Sequence, residues 1–188
     1  MTYPIILMGF VFIFTNGCKK DTTSTQSGTL KDLDGNVYHP VSIGSQVWMA
    51  ENLKTTQLND GTPILNATGN TAWVYASSPA YCWFNDSVTY KTSYGALYNW
   101  TAASNSKLCP SGWHVPDDAE WTALSNSLGG NNFSGGKLKE TGSTHWASPN
   151  IVADSSSGFA ALPGGYRTNG GDFMESASLV YGGVQPRS

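Results

Sequence analysis

Residues 109–121, CPSGWHVPDDAEW, decide how the rest of the chain is read. Pro110, Ser111 and Gly112 predict a turn, because proline fixes φ and glycine accepts the positive φ that turns need. Trp113, His114 and Val115 predict a short extended run, since a residue before proline is pushed away from helix. Asp117 suits a helix N-cap, and Glu120 three residues later completes a capping box, in which each side chain satisfies a free backbone N–H. Trp121, Leu124 and Leu128 then follow at i, i+3 and i+7, one apolar stripe on a helix running to Leu128. The stretch is a structural signal. By itself it assigns no chemistry.

Working outward, residues 93–104, SYGALYNWTAAS, predict a first main helix with Tyr94, Leu97, Tyr98 and Trp100 or Thr101 at helical spacing. On the N-terminal side, residues 29–33 and 36–39 predict two short strands joined at Asp34-Gly35, a strong hairpin signal. Residues 41–43 and 46–49 repeat that pattern around Gly44-Ser45. Asn59-Asp60-Gly61 is a further turn, residues 66–78 hold a short helical turn carrying Trp73 and Tyr75, and residues 80–84, AYCWF, predict a buried strand. On the C-terminal side, Gly129-Gly130-Asn131-Asn132 ends the second helix, and residues 135–141 add one helical turn. Residues 145–150 form a loop anchored by Trp146. Residues 158–167 are a strand broken at Pro163-Gly164-Gly165, and no clear closing strand follows.

The composition narrows the class. Of 188 residues only 12% are charged, while 21 are glycine, seven tryptophan and nine tyrosine, which suits a loop-rich exported protein. A 39% hydrophobic content supplies a core and disfavours disorder. A net charge of -3 excludes nucleic acid as the expected partner, because phosphate binding needs a basic face.

Residues 5–14, IILMGFVFIF, are too few to span a bilayer, which takes about 20 apolar residues, but fit a signal-peptide core. Thr15-Asn16-Gly17-Cys18 follows and resembles a bacterial lipoprotein signal, in which Cys18 is lipidated before cleavage. Residues 19–28, KKDTTSTQSG, contain no apolar side chain and read as a flexible tether. Lys19-Lys20-Asp21 loosely resembles the surface-export signal of Bacteroidetes lipoproteins. The expected organisation is a signal peptide over 1–17, the lipidated Cys18 and its tether over 18–28, and one domain over 29–188.

VSIGSQVWMAENLKTT, YGALYNWTAA, LCPSGWHVPDDAEWTAL, GGKLKETG, HWASPN and GFAALPGGYR occur in this order. Together they resemble the Fibrobacter succinogenes major paralogous domain, a family of exported bacterial proteins, over residues 28–171. The helix after VPDDAEW and the later GFxxLPGGYR also resemble formylglycine-generating and sulfatase-modifying domains. That implies an α+β, C-type-lectin-like fold with two main helices, small antiparallel sheets and long loops. Family members run on through a tryptophan- and serine-rich segment to a final strand with a cysteine. Residues 173–188, FMESASLVYGGVQPRS, match none of it, which implies a domain truncated or frameshifted at its C-terminal strands. The resemblance carries no biochemical activity with it.

Cys82 and Cys109 are candidates for a disulfide in an oxidising compartment, against two free buried cysteines or a Cys109 whose family partner is missing. No C-x-x-C or H-x-x-x-H spacing exists, so no metal and no cofactor is expected. The chain lacks a G-x-S-x-G elbow and a glycine-rich phosphate loop, and it lacks the late cysteine pair of formylglycine-generating enzymes. No catalytic residue is expected: His114 reads as packed, and Asp117 and Glu120 are explained by capping. Glycan sites place aromatic faces beside amide and carboxylate groups, and Trp83, Asn85 and Asp86, with Trp146 and Asn150, are the candidate ligand patch. Calcium-lectin triplets are absent, since Phe84 interrupts W-N-D and Ser148-Pro149-Asn150 lacks the acidic residue. The expected function is a non-catalytic binding or adhesion module, lipid-anchored at the outer membrane on the cell surface, for a glycan or other extracellular ligand. A structural envelope lipoprotein is the alternative, and an enzyme of unknown class ranks below it.

Overall fold

Short strands and short helices share the regular backbone in the computed structural model, which describes residues 17–20 and 29–174. The signal-peptide run over 5–14, residues 21–28 of the expected tether and the tail after Met174 lie outside the described residues. In chain order the elements are strands β1 (Lys19–Lys20), β2 (Leu30–Lys31), β3 (Val37–Tyr38), β4 (Pro40–Ile43), β5 (Gln46–Met49) and β6 (Leu65–Asn66). Helix α1 (Asn70–Val74), strand β7 (Ala80–Cys82), helix α2 (Lys91–Tyr94), strand β8 (Leu97–Tyr98) and helix α3 (Trp100–Ala103) follow. Strand β9 (Trp113–His114), helices α4 (Asp118–Ser127) and α5 (Asn131–Leu138), and strands β10 (Tyr166–Arg167) and β11 (Phe173–Met174) complete an α+β architecture of small sheets and few helices.

The opening stretch folds as its residues dictate. Trp113 N–H closes a turn onto the Pro110 carbonyl at 3.0 Å, and Trp113–His114 is extended. Asp117 caps α4 through the Glu120 N–H at 2.9 Å, while Glu120 accepts from the Asp117 N–H at 3.1 Å. Leu124 and Leu128 are buried with Trp48, Ile43 and Phe159, and Trp121 packs at their edge. Trp48 and Trp121 meet at 4.7 Å between ring centroids. The stripe on α4 thus covers the β4–β5 hairpin, which pairs from Pro40↔Met49 to Ile43↔Gln46.

That hairpin belongs to a four-stranded sheet ordered β4-β5-β1-β9. Strand β1 is central in it: Lys19 pairs with Trp48 on one side and with His114 on the other. Lys19 and Lys20 are 5% and 7% exposed, so the first residues of the expected tether are instead built into the sheet. A polar segment can do this because a strand in mid-sheet satisfies its backbone groups on both sides, and Lys19 Nζ reaches Glu120 Oε1 at 2.6 Å.

Other departures have local causes. The helix expected over 93–104 is split into α2, β8 and α3. Gly95 holds φ +68, and a Cβ there would lie 2.7 Å from the Leu53 carbonyl oxygen. The chain turns extended so that Tyr98 and Leu97 pair with Tyr81 and Cys82. Asn99 then starts a new helix by accepting from Ala102 N–H. Gly129 and Gly130 end α4, but Asn131 begins α5, so the helical turn expected at 135–141 is the end of a helix starting four residues earlier. Strand β6 runs parallel to β7, an exception to the antiparallel expectation. Of residues 158–167 only Tyr166 and Arg167 form a strand, and Phe173–Met174 closes against them where no closing strand was expected. The two longest described helices are α4 and α5, not the 93–104 segment and α4.

Candidate functional site

The structure buries both tryptophans of the expected ligand patch. Trp83 is 8% exposed, with Tyr81 edge-on at 5.1 Å and Lys91 Nζ 5.4 Å from its ring. Trp146 is 2% exposed; its Nε1–H donates to the Ala161 carbonyl at 3.0 Å, and Lys139 Nζ lies 4.3 Å from its ring. Neither ring offers a face to a ligand, because burying about 150–250 Å² of aromatic surface in a small domain is worth more to the core. The polar members of the patch are equally committed. Asp86 accepts from Arg167 and from the Gly69 N–H at 2.8 Å. Asn150 Nδ2 donates to the carbonyls of Glu140 and Gly142 at 2.9 and 2.8 Å, stapling its own loop. Asn85 alone stays exposed, in a left-handed conformation with φ 52. The patch is core and loop architecture.

The aromatics left at the surface are others. Tyr75, just past α1, is 78% exposed, and Trp100, at the start of α3, is 52% exposed. One residue ties their segments together. Asn99 Oδ1 accepts from Ala80 N–H at 3.0 Å and Ala102 N–H at 2.9 Å, while its Nδ2 donates to the carbonyls of Ser78 and Ala76 at 2.9 and 3.4 Å. The loop after Tyr75 and the helix opened by Trp100 are therefore held in one hydrogen-bonded mount. The sequence does not signal the pair, because Tyr75 sits in a polar segment and Trp100 or Thr101 is expected at helical spacing on one continuous helix. Once Gly95 breaks that helix, the phase is lost and Trp100 turns outward.

A family model, the Fibrobacter succinogenes major domain, matches residues 41–181. The chain belongs to this family. The match begins at the β4–β5 hairpin, takes in α4 and β10–β11, and runs ten residues past the expected end at 171. No curated protein and no solved structure compared with this Fibrobacter succinogenes major domain matches it.

The cysteines of the domain pair differently from the expectation. Cys18 and Cys109 form the disulfide, with Cα atoms 5.9 Å apart and a sequence separation of 91. Cys82 is free and buried in β7, beside Phe84 and Leu97, so the Cys82–Cys109 candidate is corrected. Strand β1 delivers Cys18 next to the turn that carries Cys109, a juxtaposition no sequence spacing signals. Burial pushes the Cys82 thiol up to about 11, which keeps it protonated and a poor nucleophile.

Each histidine sits against a different glutamate. His39 Nδ1 faces Glu51, His145 Nδ1 lies 2.8 Å from Glu140, and His114 Nε2 lies 2.9 Å from Glu120. Burial raises the Glu120 pKa, but hydrogen bonds from Lys19, His114 and the Asp117 N–H outweigh it and hold the carboxyl below its ordinary value. Glu120 thus does more than cap: it joins α4, β9 and β1. Among the described residues no group of three or more His, Cys, Asp or Glu is placed to hold a metal, and no helix is long and apolar enough to cross a membrane.

Proposed function

We propose that this domain is an exported, non-catalytic binding and adhesion module, with glycans as the ligand class its surface suits best. The observation that carries the reading is the exposure of Tyr75 and Trp100 on the rigid mount made by Asn99. Aromatic faces take up the apolar C–H faces of sugars, and fixed neighbouring segments reduce the ordering cost of binding. The Cys18–Cys109 disulfide supports export, because such bonds persist in oxidising compartments. A C-type-lectin-like arrangement is the finer fold we assign, supported by short strands, two longer helices and long connections; fold alone is an analogy for function. The burial of the protonated Cys82 thiol in β7 supports a non-catalytic role.

A glycan array spanning plant, host and bacterial polysaccharides, probed with the purified chain, tests the reading. Binding to at least one class that Trp100→Ala and Tyr75→Ala abolish is the expected result. No binding across the array sinks it.

A structural role in the envelope is the second reading, favoured by another observation. Phe133, Ile151 and Val152 are 64%, 85% and 70% exposed, and the Val152 backbone lies directly against Gly136 of α5. Capture of one stable envelope protein, lost on Ile151→Asp, would favour it over the glycan reading.

A further inference from the structure

The sulfur of Cys18 can have only one fate. A lipid anchor needs it for a thioether to a diacylglyceryl group, and the disulfide needs it for Cys109. We propose that, in the mature exported domain, Cys18 serves as the partner of Cys109 and is not the lipid attachment point.

Residues 18–20 are built deep into the domain. Cys18 is 0% exposed and lies in the core group with Met49, Tyr98, Leu108, Cys109 and Trp113. Its carbonyl accepts from Met49 N–H at 3.1 Å, and the next two residues form a strand flanked on both sides. Lys19 adds the buried ion pair with Glu120, the residue that also caps α4. Two acyl chains on the Cys18 sulfur have no place in that core, so a lipidated Cys18 must leave it. Withdrawing β1 unpairs the facing edges of β5 and β9, leaves Glu120 without Lys19, and opens a sheet edge of the kind that proteins cover. An anchoring cysteine also needs free chain between bilayer and domain, and here the ordered sheet begins at the residue that follows it.

The chemistry is a two-electron oxidation. The Cys18 and Cys109 thiols lose two protons and two electrons as the S–S bond forms, and a dithiol–disulfide oxidant of the export compartment is reduced to its dithiol. The proposal needs export but no ligand, so it stands or falls separately from the glycan reading.

The test expresses the full chain from Met1 in a diderm bacterium and maps its cysteine peptides without reduction, with a resident lipoprotein of the host as positive control for acylation. The expected result is a cross-linked peptide pair holding unmodified Cys18 and Cys109, with the chain in the aqueous phase on detergent partition. A diacylglyceryl thioether on the Cys18 peptide overturns the proposal. Alkylation of both thiols before any reduction overturns it equally. In Cys109→Ser the cross-link is lost and Cys18 becomes the added site of labelling or acylation. If that variant fails to fold, the map of the wild-type chain still decides.

Discussion

Arg167 grips Asp86 through both ends of its guanidinium, Nη1 to Oδ1 at 2.9 Å and Nη2 to Oδ2 at 3.2 Å. The Arg167 side chain is fully buried between the rings of Phe173 and Trp73, at 4.2 and 5.2 Å, and also donates to the carbonyls of Gly171 and Ala67. It therefore bolts the β10–β11 hairpin to the segments around α1 and β7. Removing one partner of a buried ion pair leaves the other uncompensated, at a cost of about 3–5 kcal/mol. Arg167→Ala should lose that much in chemical denaturation. Arg167→Lys should recover little of it, because an ammonium cannot reproduce the flat, forked contact.

The disulfide closes 91 residues of chain, so its loss should be costly. Chain entropy puts the cost of Cys18→Ser or Cys109→Ser at about 4–5 kcal/mol. Cys82→Ser should leave the bond intact, since Cys82 has no part in it. Thermal melts of the three variants, with non-reducing maps, separate the two assignments.

Glu120 makes stability depend on acid. Its carboxyl sits below the ordinary value of 4.5 in the folded chain, so the folded state favours the charged form. The stabilisation is complete above the unfolded value and is lost as pH falls through the lower folded value. Unfolding free energy should therefore drop as the solution is acidified below about pH 4–5. In Glu120→Gln this part of the drop should vanish, with lower stability at neutral pH because Lys19 stays buried without its carboxylate.

Cys82, with its thiol held up at about 11 by burial, should resist alkylation in the native protein at neutral pH. Denaturant should release it to a single rapid labelling event under non-reducing conditions, as the other two cysteines remain bonded. Fast labelling of the native chain would contradict its place in β7.

Trp100→Ala and Tyr75→Ala remove exposed rings, and surface substitutions shift stability by only about 0.5 kcal/mol. Asn99→Ala, which removes four hydrogen bonds, should destabilise far more. Unchanged melts for the first two variants make their effect on ligand capture a statement about binding.

By itself the sequence determined the turn, short strand and capped helix over 109–127, the paired strands at Gly35 and Gly44, and the family. These rest on contacts between residues close in the chain, such as Asp117 with Glu120, where residue type and spacing are enough. Only the tertiary structure decided that Lys19–Lys20 is a central strand, that Cys18 takes Cys109, and that Trp83 and Trp146 are core while Tyr75 and Trp100 face outward. The disulfide and the Lys19–Glu120 pair join residues 91 and 101 positions apart, and no local propensity encodes which distant edge a polar dipeptide will join. Gly95 shows the boundary between the two. The sequence reads straight through it as one helix, and only the Leu53 carbonyl packed against it shows that a side chain is forbidden there.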